Sequence, residues 1–117
     1  MFAYEIPNLR FSLPAGGAVA QRRFVSAAND AAIQATAESH ILGASMNEVT
    51  ATEIEAGGRI VEIADGIVMV EAAGAIASGA AVYSNAEGKA AATGTVIAGV
   101  AITAATAAGD TIAVKIK

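Results

Sequence analysis

The stretch Arg59 to Glu71, R-I-V-E-I-A-D-G-I-V-M-V-E, constrains the fold more than any other part of the chain. Two runs rich in Ile and Val flank Asp65-Gly66. β-Branched side chains are stiff at χ1 and suit the pleated surface of a strand. Asp-Gly between two such runs is a hairpin signal, because Gly takes positive φ without steric penalty and Asp tolerates it. The spacing therefore predicts a hairpin. On its first arm Val61 and Ile63 face away from Ile60, Glu62 and Ala64; on its second, Ile67 and Met69 oppose Val68 and Val70. Apolar residues fall on both faces, as in a closed or sandwiched β structure rather than a one-sided sheet. This hairpin is expected to be the centre of the molecule.

The rest of the chain offers little bulk to pack against it. Its 117 residues suffice for one domain with a core, and 55% are apolar, yet there are only three Phe, two Tyr and no Trp. Thirty-one Ala and 12 Gly replace large side chains. Burial contributes about 0.8 kcal/mol per CH₂, so a core of Ala, Val and Ile is thin. Further stability is expected from self-association or from docking onto a partner.

Charge and composition exclude several classes. The net charge is −4, with no basic patch beyond Arg22-Arg23 and no aromatic platform, so direct nucleic-acid binding is not expected. The lack of cysteine removes disulfides and thiolate metal sites. Met1 to Pro14 carries Glu5, Asn8 and Arg10 where a signal peptide needs an apolar stretch. The weakly polar run Val96 to Ala108 falls short of the roughly 20 residues that cross a bilayer. A soluble, intracellular protein without a membrane partner is expected.

Residues 1–14 (MFAYEIPNLRFSLP) differ from everything after them. Large side chains gather there, with Phe2, Tyr4 and Ile6 alternating as in an extended strand. Pro7 and Pro14, the only prolines, exclude a continuous helix. Residues 1–14 are thus assigned as an extended N-terminal arm and residues 15–117 as a single β domain. Two fates for the arm stay open: it folds back over its own core, or it lies on a neighbouring chain, adding a strand or filling pockets. In the second case Phe2, Tyr4, Ile6, Pro7, Leu9 and Phe11 are the partner-binding residues.

Beyond the arm, strands are expected over 21–28, 31–36, 41–46, 82–84, 96–103 and 111–117. Turns are expected at Asn29-Asp30, 85–89 and Gly109-Asp110. A short helix is the rival over 31–36, since Ala favours helix and Asn29 or Asp30 would cap it. Residues 47–55 read as a loop with an edge segment. Residues 72–81 read as turn, short segment, turn, because Gly74 and Gly79 would each weaken a helix by about 1 kcal/mol. A faint internal echo links Ala56-Gly57-Gly58-Arg59-Ile60-Val61 to Ala108-Gly109-Asp110-Thr111-Ile112-Ala113. Ile41-Leu42-Gly43-Ala44-Ser45 and Ile97-Ala98-Gly99-Val100-Ala101 precede the two copies. Matching strand–turn–strand units suit a small pseudo-symmetric barrel or sandwich.

No constellation for chemistry emerges. His40 adjoins Ser39 and Glu38, but neighbours along a strand point to opposite faces, so this run does not build a dyad. Glu48, Glu53, Glu55, Glu62, Asp65 and Glu71 concentrate in one third of the chain without the D-x-D-x-D-G spacing of a calcium loop. They read as a solvated face or a surface for a basic partner. Gly16-Gly17 and Gly57-Gly58 precede strands, whereas phosphate cradles precede helices. No catalytic, cofactor or metal site is assigned.

Ordered along the chain, I-L-G-A-S, A-G-G-R-I-V-E-I, the run from Asp65 to Lys89 (D-G-I-V-M-V-E-A-A-G-A-I-A-S-G-A-A-V-Y-S-N-A-E-G-K) and I-A-G-V-A-I-T-A-A-T-A-A-G-D-T-I-A-V-K-I form a familiar pattern. Together with Y-E-I-P-N-L-R-F and Arg23-Phe24-Val25, it resembles the capsid decoration (cement) proteins of tailed bacteriophages, relatives of the lambda-type head decoration proteins. The resemblance implies a non-enzymatic structural protein with an all-β fold, a small β barrel of β-tulip type with an extended N-terminal arm. It further implies homotrimers on the outer surface of the assembled head, part of the virion, clamping neighbouring major capsid protein subunits. The residues alone leave one alternative, a small ligand- or glycan-binding β module. For that role only Phe24 and Tyr83 supply aromatic rings beyond the arm.

Overall fold

The computed structural model describes residues 6–117 as a single sheet of nine strands that curls on itself. The strands are β1 (Ile6–Pro14), β2 (Phe24–Ala28), β3 (Ala31–Gln34), β4 (Gly43–Ser45), β5 (Ile60–Glu71), β6 (Ala81–Ser84), β7 (Ala90–Ala91), β8 (Ile97–Ala101) and β9 (Thr111–Ile116). One short helix, α1 (Ala51–Glu55), interrupts them. The all-β expectation holds.

The central hairpin does not. Arg59 to Glu71 contains one unbroken strand, β5, of 12 residues. A two-residue I′ turn needs positive φ at both central residues, and here only Gly66 has it (φ 112°). Asp65 accepts a hydrogen bond from the Gly66 N–H through its own Oδ1 (2.8 Å), and the chain bends without reversing. Each Ile/Val run has found a remote partner instead. Ile60 to Ile67 pairs with β1, Ile63 and Ala64 with β4, and Ile67 to Glu71 with β9. The two-residue reversal occurs at Asn29-Asp30, where both residues have positive φ (53° and 63°) and Ala28 opposes Ala31. That turn makes 31–34 a strand, and the rival helix does not form.

β5 divides the molecule into two small barrels. The first comprises β1 to β4 and the leading part of β5; the second comprises the trailing part of β5 and β6 to β9. Sheet order runs β3-β2-β4-β5 with β1 on β5, then β7-β6-β8-β9 with β5 on β9. Each β1–β4 strand thus has a counterpart in the second barrel. Parallel bridges Ala15–Ala32 and Ala72–Ala90 close the two curls, and antiparallel bridges Val19–Val49 and Ile76–Ala105 lie across them. Hydrogen bonds repeat as well. Ala15 donates to the Arg59 carbonyl (2.8 Å) and Ala72 to that of Asp110 (2.7 Å); Gly16 donates to Ala32 (2.7 Å) and Ala73 to Ala90 (2.8 Å). With the fold as guide, a second sequence echo appears at a shift of 57 positions. Glu5-Ile6, Asn8, Ala15 and Gly17-Ala18-Val19-Ala20 match Glu62-Ile63, Asp65, Ala72 and Gly74-Ala75-Ile76-Ala77.

Each barrel has its own core. Val19, Val25, Ala32, Val49, Val61 and Ile63 fill the first, with Phe11 and Leu13 packed against them. Ile76, Val82, Ala90, Ala105, Ile112 and Val114 occupy the matching places in the second, with Val68 and Val70 where the first has Phe11 and Leu13. Phe24, fully buried, belongs to the second cluster although it lies on β2, and so joins the two. The molecule measures 40 × 25 × 21 Å, elongated as two barrels end to end require.

The remaining differences are local. β2 begins at Phe24 instead of residue 21, because Arg22 takes a left-handed conformation (φ 60°). Residues 51–55, read as loop, form α1. Thr50 accepts from the Glu53 N–H while Glu53 accepts from the Thr50 N–H, a capping box whose T-x-x-E signature is present in the sequence.

Candidate functional site

The residues assigned to partner binding are distributed unevenly. Phe2 and Tyr4 lie outside the described residues. Ile6 and Pro7 enter the ladder opposite Ile67 and Gly66. A bulge between Pro7 and Leu9 then shifts the register, and Leu9 emerges 56% exposed. Phe11 is half-buried against the first core, paired with Ile63. From Leu9 onward, β1 is a strand of the first barrel, held along β5 as far as the Pro14–Ile60 pair.

Other exposed apolar side chains were not singled out by sequence. Ile60 projects from β5 (54% exposed), and Ile97 and Val100 from β8 (42% and 46%). Val100 opposes Lys115 on one side and Ala81 on the other; Ile97 opposes Tyr83. Residues directly opposite on neighbouring strands share a face, so these form an apolar patch with a lysine in it. β8 carries Ile97 and Val100 outward together because the β6–β8 register shifts between Val82 and Tyr83. An even alternation hides that, and no signal in the sequence marks the shift.

The acidic residues do not form one cluster. Glu53 pairs with Arg59 (3.2 Å) at the exposed end of α1. Glu71 sits at the junction of the barrels between Arg23 (3.5 Å) and Lys89 (3.4 Å), all three mostly buried. Arg23 also donates to the Glu87 carbonyl (3.0 Å), while its Nε is buried without a partner. Asp110 accepts from the Thr106 N–H (2.9 Å), the Thr106 hydroxyl (3.0 Å) and the Ala107 N–H (3.2 Å). Those hydrogen bonds, the Thr106 N–H foremost, hold its carboxyl below the ordinary value.

His40 is exposed and lines a cavity of about 530 Å³ with Ile41, Val96, Ile97 and Lys117. The lining, which also includes Thr95 and Ala98, contains no Asp, Glu, Ser or Cys side chain. Such a hollow can receive an apolar side chain, but it presents no nucleophile oriented by a base. Among the described residues no three His, Cys, Asp or Glu side chains converge to hold a metal ion. Among them, too, no helix is long and apolar enough to cross a membrane.

No curated protein matches the chain. The fold is similar to the crystal structure of the N base of the head fibre gp8.5 of bacteriophage phi29, with a TM-score of 0.72 over 93% of each chain. At 17% identity that likeness concerns the fold. The family model of phage cement proteins matches residues 5–116, which is nearly the whole length. The chain belongs to the phage cement protein family, structural proteins of the phage capsid.

Proposed function

We propose that this protein decorates the outer surface of an assembled phage head and clamps neighbouring major capsid protein subunits. The match of a cement-protein model to residues 5–116 carries this reading. The architecture supports it: two lightly filled barrels share one strand, and apolar side chains stand exposed at Leu9, Ile60, Ile97 and Val100. Stabilisation works by mass action. A copy that bridges two shell subunits binds only where both are in place, so it stabilises the lattice over its free parts. Phe2 and Tyr4 supply anchors in the arm, since aromatic side chains dominate interface energetics. Ile6, Pro7 and Leu9 extend the same binding segment, and Phe11, packed against the first core, fixes it to the barrel. Self-association as a homotrimer belongs to the same proposal, and light scattering should give the mass of three 11.5 kDa chains.

The experiment is direct. Heads that lack this protein are incubated with the purified chain and imaged by electron cryo-microscopy, and their DNA release on heating is followed. Added density outside the shell, over contacts between subunits, together with a higher release temperature is the expected result. Bare heads at micromolar protein would end the proposal. Truncating residues 1–14 is a poor probe, because it also removes β1 from the sheet; Phe2→Ala with Tyr4→Ala spares that strand.

A further inference from the structure

We infer that the rung Ala81–Val100–Lys115, on the outer face of the second barrel, docks onto the first barrel of another copy of this chain. It thereby repeats between molecules the contact that joins the two barrels within one. The inference rests on the self-association proposed above and names the faces that meet. The internal doubling carries it. Phe24 of β2, Ala44 of β4 and Ala64 of β5 lie opposite one another on one rung of the sheet. The same places in the second barrel belong to Ala81 of β6, Val100 of β8 and Lys115 of β9. The hydrogen bonds beside the two rungs match. Arg22 donates to the Ser45 carbonyl (3.0 Å) and Ser45 to that of Arg23 (2.9 Å), as Gly79 does to Ala101 (2.7 Å) and Ala101 to Ala80 (3.0 Å). The surroundings are opposite. Phe24, Ala44 and Ala64 are buried because they point out of the first barrel into the core cluster of the second. Val100 and Lys115 stand exposed. A face that is covered on one barrel is bare on its duplicate.

What covers the first rung indicates what fits the second. The Asn85–Lys89 turn of the second barrel lies on Phe24, whose N–H donates to the Gly88 carbonyl (2.8 Å). The equivalent turn of the first barrel is Asn29-Asp30, between β2 and β3. Asp30 shares the left-handed conformation of Gly88 (φ 63° and 75°), and Ala28, Asn29 and Asp30 are all exposed. In a second copy this turn comes to Ala81 and Val100 and brings the Asp30 carboxylate to the side that carries Lys115. Charge favours the same pairing. Residues 1–66 hold eight acidic and four basic side chains and residues 67–117 three of each, so the whole net charge of −4 lies on the half that builds the first barrel. A lysine-bearing rung on the neutral half therefore meets an acidic partner in another copy. The contact joins unlike faces, so it runs head to tail and closes by rotation into a ring, as in a homotrimer.

Light scattering on the purified full-length chain tests the contact. The parent should be an oligomer at micromolar protein. Val100→Lys on the rung, and Ala28→Lys or Asp30→Lys at the turn, should each reduce it to the 11.5 kDa monomer. Ala107→Lys, at an exposed position on the β8–β9 loop, should leave the mass unchanged. A far-UV circular dichroism spectrum like the parent's shows that a variant is folded; Ala28→Lys serves where Asp30→Lys, at its left-handed position, is not. A mixture of Val100→Lys and Ala28→Lys chains decides between unlike and like faces. Each supplies the face that the other lacks, so a species of twice 11.5 kDa should form. Persistence of the parent mass in Val100→Lys, or no mixed species, would overturn the docking while leaving head binding in place. A monomeric parent would overturn it together with the homotrimer, and head binding keeps its own test. An oligomer that follows this scheme but leaves heads bare would remove the head-binding proposal and not the contact.

Discussion

Two glycines show how little room a single residue has in this sheet. Gly43 on β4 and Gly99 on β8 hold corresponding places in the two barrels. A Cβ at the first would collide with the Ala64 carbonyl oxygen, and at the second with that of Lys115. Neither residue needs a left-handed backbone; the constraint is the closeness of the next strand. Gly43→Ala and Gly99→Ala should each lower stability by about 2–3 kcal/mol, a fall in thermal midpoint of about 10 °C. Gly74→Ala, with open space around the site, should change it by less than about 0.5 kcal/mol. The I-x-G strand echo was visible in the sequence; the carbonyl that faces each glycine was not, because it lies on a strand far along the chain. Asp110 allows a test by pH. Its folded carboxyl titrates below the ordinary value, so its contribution is present above about pH 4 and fades as pH falls through the lower folded value. Asp110→Ala should flatten the acid limb of a stability profile below about pH 4; a limb of unchanged slope would show that the Thr106 hydrogen bonds do not favour the charged form.

Among the elements, β5 decides the topology, and its bend at Gly66 lets one strand serve two barrels. A φ of 112° at that position strains any residue with a Cβ. Gly66→Val should cost about 1–3 kcal/mol and speed proteolysis of both barrels; an unchanged denaturation midpoint would mean that the bend relaxes freely. The turn from Asn85 to Lys89 is the second joint. Asn85 Oδ1 accepts from the Glu87 and Lys89 N–H groups (2.9 Å each), and Phe24 donates to the Gly88 carbonyl (2.8 Å). Arg23, Glu71 and Lys89 complete the contact. Glu71→Gln leaves the Arg23 guanidinium, whose Nε already lacks a partner, without its counter-charge. A loss of about 1–2 kcal/mol in urea unfolding is expected. Sequence identified the Asn85–Lys89 turn correctly, since its Asn and Gly act locally. It misjudged Asp65-Gly66 because a turn motif only permits reversal. Long-range ladders with β1 and β9 outweighed it.

For the molecule as a whole, the shared strand and Phe24 imply that the barrels unfold together. Val61→Ala in the first core and Ile112→Ala in the second should lower one common midpoint, by about 1–4 kcal/mol each, with calorimetric and van't Hoff enthalpies in agreement. Two resolved transitions would show the barrels to be independent. Composition and spacing by themselves determined the β class: abundant Ile and Val at strand spacings, with small residues between them. These are properties of a residue and its near neighbours, so they can be read directly. The doubling of the barrel, the exposure of Ile97 and Val100 and the place of β1 in the sheet were decided by tertiary structure alone. Each depends on which strand a segment meets, and the register of that meeting is set by the whole set of remote pairings.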